Sequence, residues 1–150
     1  VARYELHFES ELSVPPERAW EWATSVKGIR TELRPLCDMT APAGLSSLND
    51  VEVELGKPLG KSWVLLFGVL PIDVSRITLV ELEPGHRFLE RSPMLSMKLW
   101  QHERIVEPTS RGSKLCDNLT FEPRFAGPLV LRLITAFFRN RHRVLRRELG

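Results

Sequence analysis

The chain has 150 residues, 43% hydrophobic and 27% charged, with a formal net charge of +2. That length is one domain by default, 1–150, with about two-thirds of the extended-chain surface available for burial. No apolar run approaches the roughly 18 residues of a membrane span, the small net charge argues no global field for nucleic acid, and the two cysteines, Cys37 and Cys116, are spaced for neither a disulfide framework nor a zinc site.

The opening stretch, VARYELHFES, lacks the apolar core of a signal peptide, and the absent initiator Met reads as a trimmed start. YELHFESELSV alternates. Tyr4, Leu6, Phe8, Leu12 and Val14 share one face, while Glu5, His7, Glu9 and Glu11 share the other, which predicts a half-buried strand with His7 on the solvent side. SVPPERAWEWATSV predicts a helix with Ser13 as N-cap, two prolines in its first turn and an apolar stripe of Ala19, Trp20 and Ala23. KGIRTELRPL predicts a second short helix, Ile29 to Leu33, stopped by Pro35. CDMTAPAGLSSLND reads as a loop.

The middle is strand-rich. DVEVELGKP puts Val51, Val53 and Leu55 on one side, and KSWVLLFGVLP, IDVSRITLVELEPG, HRFLERS, LSMKLWQHERIVEP and SKLCDNLTFEP follow, about six strands in all. GKPLGKS ends like a phosphate-binding loop, but its first Gly is one residue too near and it joins two strands, so Gly56, Pro58 and Gly60 read as hairpin punctuation. The chain ends in GPLVLRLITAFFRNRHRVLRREL, a helix of about six turns with Pro128 at its start.

Strand, two short helices, about six strands and one long helix give an α+β fold, a curved antiparallel sheet of about seven strands covered by the terminal helix. Projected at about 100° per residue, Val130, Leu133, Ile134, Phe137, Val144 and Leu145 form that helix's inner face. Arg141 falls near the middle of it, and Arg139, Arg143, Arg146 and Arg147 lie outside or at its edge. A buried guanidinium needs a partner: a carboxylate such as Glu32, Asp117 or Glu103, an anionic group on a ligand, or water reached by extension. The outer arginines suit the helix C-terminus, and with Phe138 and Leu149 they also offer a surface for anionic lipid.

In the last hairpin the polar turn between Glu107 and Ser113 sets Val106 opposite Ser113, Arg104 opposite Leu115, His102 opposite Asp117 and Trp100 opposite Leu119. A carboxylate beside an imidazole suits a general base, and equally a ligand contact or a structural bond. Inward strand positions nominate Trp63, Leu65, Phe67, Trp100 and Phe121, with Phe137 from the helix, as walls of an internal space, or as its filling. Met39, Met94 and Met97 are adaptable residues for its loops.

Four stretches, FESELSVPPERAWEWATSV, LVELEPGHRF, WQHERIVEPTSRGSKLCDNLTF and FFRNRHRVL, carry a pattern of their own. It consists of a strand, a Pro-rich entry to a Trp-bearing helix, a W-x-H strand, a Gly turn, an L-x-D strand and an R-H pair near the C-terminus. In that order they resemble the START/Bet v 1-like (SRPBCC) helix-grip superfamily, nearest its polyketide cyclase/dehydrase and lipid-transport group, over nearly the whole chain. The resemblance implies an apolar cavity between sheet and long helix, and places Glu32, Arg34 and Met39 near its rim.

Three functions follow. The first is binding of a lipid, isoprenoid or polyketide-like molecule, oriented by His102, Asp117 and Arg141. The second is a cyclase or dehydratase with His102 as base, Asp117 as orienter and Arg141 as enolate stabiliser. The third is an interaction protein that uses the basic helix, with salt-sensitive association. No cofactor, metal, nucleic acid or integral membrane association is expected. A cytoplasmic monomer or homodimer is the simplest reading.

Overall fold

The computed structural model describes residues 2–49 and 54–150. Its elements are β1 (Tyr4–Leu12), α1 (Pro16–Thr24), α2 (Val26–Leu33), β2 (Cys37–Met39), β3 (Lys61–Leu66), β4 (Leu70–Arg76), β5 (Leu79–Glu83), β6 (Arg87–Arg91), β7 (Met97–Thr109), β8 (Gly112–Pro123) and α3 (Gly127–Leu149). The expected α+β architecture holds. Among the described residues eight antiparallel strands fall into two groups, β1-β8-β7-β6-β5 and β2-β3-β4. No described helix is long and apolar enough to cross a membrane.

The differences from the sequence reading are local. KSWVLLFGVLP is not one strand: Phe67 and Gly68 take positive φ of 53° and 77° and turn β3 into β4. IDVSRITLVELEPG likewise divides between β4 and β5, and Cys37–Met39, read as loop, pairs with β3. The strand expected at Val51 and Val53 lies outside the described residues. Ser13 does not cap α1; its hydroxyl donates to the Leu149 carbonyl, and Pro15 holds the cap position. α2 starts earlier than Ile29, because the Ser25 hydroxyl accepts from the Gly28 N–H at 2.9 Å. Only Gly fits there, since a Cβ on residue 28 would lie 2.3 Å from the Trp22 carbonyl oxygen.

The β7–β8 turn is tighter than expected. The strands run on to Thr109 and Gly112, which pair directly, so the register is displaced by two residues. His102 sits opposite Leu119, and Arg104, not His102, sits opposite Asp117. A displacement of two keeps every side chain on its face, so the inward set survives while its partners change.

α3 packs on β1, β8 and α2. Of its projected inner face Phe137, Val144 and Leu145 are buried and Val130, Leu133 and Ile134 half-buried, and Phe138 and Leu149, assigned to the outer surface, are buried as well. One apolar cluster gathers Trp20, Phe88, Leu115 and Leu145 under α1; a second gathers Leu33, Leu119, Phe121, Phe137 and Phe138. Each such side chain contributes roughly 1.5–3 kcal/mol on burial. Buried Asn140 ties α3 to α2, its amide donating to the carbonyls of Glu32 at 2.8 Å and Arg34 at 2.9 Å, groups that the helix end leaves unpaired. Asn140→Ala is therefore expected to lose about 1–3 kcal/mol of stability. The urea midpoint should fall at unchanged slope; an unchanged midpoint would mean that water serves those carbonyls equally well.

Candidate functional site

A cavity of about 300 Å³ lies between the strands, α2 and α3. Val64, Leu66, Ile72, Met94, Trp100 and Phe137 supply much of its apolar wall, and Met39 and Met97 line it too. Its polar lining includes Arg30, Asp73, Glu90, His102 and Arg141.

Of the nominated wall residues, Trp100, Phe137 and Arg141 line the cavity. Phe121 is fully buried behind it, 5.9 Å from the Trp100 ring. On β3 the sequence reading chose the wrong face. Trp63 and Phe67 are 49% and 65% exposed, Leu65 is not part of the wall, and the even positions Ser62, Val64 and Leu66 line the cavity instead. An apolar run lacks the alternation that tells one face from the other.

Behind His102 lies a buried ion cluster. Arg104 and Glu32 and Asp117 are all 0% exposed. Arg104 places its Nε and one terminal nitrogen on Asp117 at 2.8 and 3.1 Å. The terminal nitrogens also reach Glu32 at 2.6 and 3.1 Å and the Ala23 carbonyl at 3.3 Å. All five guanidinium donors are thus used. Asp117 further accepts from His102 Nε2 at 2.6 Å and His142 Nε2 at 2.7 Å. Glu32 accepts from Trp22 Nε1 at 2.8 Å and Arg141 Nε at 2.9 Å. Each carboxylate therefore holds four hydrogen bonds.

Burial alone would raise both acids, but the facing cations win. Arg104, followed by His102, holds Asp117 well below the usual carboxylate range. Arg104 and Arg141 hold Glu32 below its ordinary value. The Arg104 guanidinium, which burial would depress, is raised by the same two carboxylates. Two carboxylates and two guanidiniums balance in charge, which is what lets them remain inside.

His102 and Asp117 therefore touch, but by a diagonal contact with Arg104 in the direct position. Because an ionised carboxylate only accepts, both imidazoles present Nε2–H to Asp117. His102 Nδ1 lies 3.6 Å from Glu90 Oε1, and both residues line the cavity. His142 Nδ1 meets the Ser10 hydroxyl at 2.7 Å. Arg141 pairs with Glu32, among the partners expected for it, and its guanidinium carbon sits 4.9 Å from the Phe138 ring centre.

Glu32 is not at the rim, because this ion cluster buries it completely. Arg34 lies outside the cavity and pairs with Asp38 at 3.1 Å, as Arg30 does at 2.9 Å. Those hydrogen bonds, Arg30 foremost, bring Asp38 down to about 2. Sequence reasoning missed Arg104 and His142. Arg104 was legible as the next inward position after His102 on β7; His142 was hidden because only the β8–α3 contact turns it to Asp117.

Burial pushes the Cys37 and Cys116 thiols up to about 11. Cys116, His7 and Glu9 bring ligand atoms within 4.8 Å on the outer sheet face, but His7 is already bonded to Asn118 and the raised thiol opposes metal ligation. The outer arginines of α3 are exposed; Arg146 reaches Ser10 at 3.0 Å and Arg147 reaches Glu148 at 3.3 Å.

A family described as "Domain of unknown function (DUF8410)" matches residues 10–149. No curated protein matches the chain in sequence. Similar solved structures include protein CV1439 from Chromobacterium violaceum, at 16% identity and TM-score 0.68, covering 93% of this chain and 95% of that one. The AHSA1 (SPO3351) protein from Silicibacter pomeroyi matches at 16% identity and TM-score 0.68, covering 97% and 96%. Ara h 8.0201 matches at 15% identity and TM-score 0.56, covering 96% and 99%. At these identities the shared property is the fold, an antiparallel sheet gripping a long C-terminal helix.

Proposed function

This chain belongs to the DUF8410 family, and for it we propose the binding of an apolar or amphipathic small molecule, of lipid, isoprenoid or polyketide-like character, between the sheet and α3. The observation that carries this reading is the cavity of about 300 Å³ with its largely apolar wall, at the lower end of the usual size of small-molecule sites. Trp100, Phe137 and Val64 would supply contact area. His102 and Arg141 would orient a polar group, and Asp117 would act only through His102, since its four hydrogen bonds are already made.

The test uses a neutral naphthylamine dye whose emission rises in apolar surroundings. Val64→Trp, which fills the wall, is expected to weaken dye binding about tenfold or more, at a packing cost of roughly 1–3 kcal/mol. Trp63→Ala, on the exposed side of the same strand, should leave binding within about twofold, as expected of a surface substitution. Equal effects of the two, or no dye uptake by the wild type, would defeat the proposal.

A cyclase or dehydratase is the second reading, favoured by His102 lining the cavity with its Nε2 held by Asp117. In it Nδ1 is the base, and Asp117 fixes the tautomer. Loss of ketide turnover in His102→Ala with unchanged dye affinity would establish it; no turnover of any ketide by the wild type would leave binding alone.

A further inference from the structure

Five serines are buried among the described residues: Ser10, Ser62, Ser75, Ser92 and Ser113. Three are bonded through their hydroxyls, Ser10 to His142, Ser92 to Glu90 and Ser113 to the Val14 carbonyl. Ser62 on β3 and Ser75 on β4 are not: they are 0% and 2% exposed, and neither Oγ has a hydrogen-bond partner among the described residues. Both line the cavity. They are also direct cross-strand partners, which sets their Cβ atoms about 5 Å apart on one face of the sheet. Buried hydroxyls are ordinarily satisfied, and an adjacent pair left unpaired in a cavity wall is a prepared contact.

We propose that Ser62 and Ser75 together seat a neutral oxygen, a hydroxyl or a carbonyl, carried by the molecule in the cavity. This rests on the cavity-binding reading and adds a chemical class to it. One ligand oxygen lying between the two Oγ atoms would meet each at roughly 2.7–2.8 Å. A carbonyl accepts from both; an alcohol accepts from one and donates to the other. A plain hydrocarbon leaves both unmet. A carboxylate is opposed by Asp73, two residues along the same β4 face and also lining the cavity, whose own carboxylate is engaged by Ser96 and the Val74 N–H. The cationic groups of the cavity wall, Arg30 and Arg141, lie on α2 and α3 rather than on these strands, so charge and neutral oxygen are read by different walls.

The experiment titrates decane, decanol and decanoate into wild type and the double variant Ser62→Ala/Ser75→Ala, followed by intrinsic tryptophan fluorescence. The variant is expected to bind decanol about tenfold more weakly, as loss of two net hydrogen bonds implies, with decane unchanged or tighter and decanoate within about twofold of wild type. Its thermal midpoint should be unchanged or higher, because two unmet buried hydroxyls are gone. An unchanged decanol-to-decane preference, a parallel loss for decanoate, or a lowered midpoint would overturn the proposal while leaving the cavity reading in place. Failure of wild type to bind either decane or decanol would overturn the cavity reading and this one with it.

Discussion

Replacing Arg104 by Met is expected to destabilise the protein by about 3–5 kcal/mol, the usual cost of removing one partner from a buried ionic cluster. The side chain is 0% exposed and bridges two carboxylates that are 0% exposed themselves. Without it, Glu32 keeps Arg141 and Trp22, and Asp117 keeps two imidazoles, but each loses two charged hydrogen bonds. Arg104→Lys should recover only part of the loss, because an ammonium cannot span both acids with paired bonds. The deficit should also shrink on acidification. In the variant, burial is no longer outweighed, so the two acids rise toward protonation and relieve themselves as pH falls. A urea midpoint for Arg104→Met close to wild type at neutral pH would show that the cluster is not the internal anchor described here.

Asp117→Asn is expected to be of similar size, about 3–5 kcal/mol, for a different reason. Four donors converge on this carboxylate, and an amide would turn its own N–H groups toward at least one of them. The variant should also change the acid limb of the stability profile. Asp117 is held well below its ordinary value in the folded state, so its contribution is fully present above the unfolded value of about 3.9. That contribution is lost as pH falls from there through the depressed folded value. Urea midpoints across the acid range should therefore decline less steeply in Asp117→Asn than in wild type. Glu32, also lowered, keeps some slope in both. Parallel acid limbs in the two proteins would contradict the assignment.

These two effects bear on how the hairpin is understood. His102 and Asp117 alone resemble a catalytic couple. With Arg104 and His142 added, Asp117 is the centre of a structural cluster, and of the three side chains bonded to it only His102 lines the cavity. Asp117 then affects a ligand only by holding His102.

The element order, the inner face of α3 and the inward turn of Arg141 were legible in the sequence, because period 3.6 and period 2 alternation are written residue by residue. The face of β7 and β8 was legible for the same reason: Trp100, His102 and Arg104, like Leu115, Asp117 and Phe121, alternate cleanly. The register was not. It depends on whether the turn takes up residues 107–112 or only Ser110 and Arg111, and both turns preserve the pattern. The face of β3 was not legible either, because KSWVLLF is apolar on both sides.

What the sequence by itself determined is the helix-grip architecture and the presence of charged residues on faces that must be buried. Which charges meet was decided by tertiary structure alone. Glu32 and Arg104 are separated by 72 residues, and Asp117 and His142 by 25; no local period relates them. Their pairing follows from the hairpin register, which sets Arg104 opposite Asp117, and from the way α3 lies across α2, β1 and β8. Desolvation then makes each ion dependent on the others, so the burial that the sequence demands is satisfied only by partners that the fold brings together.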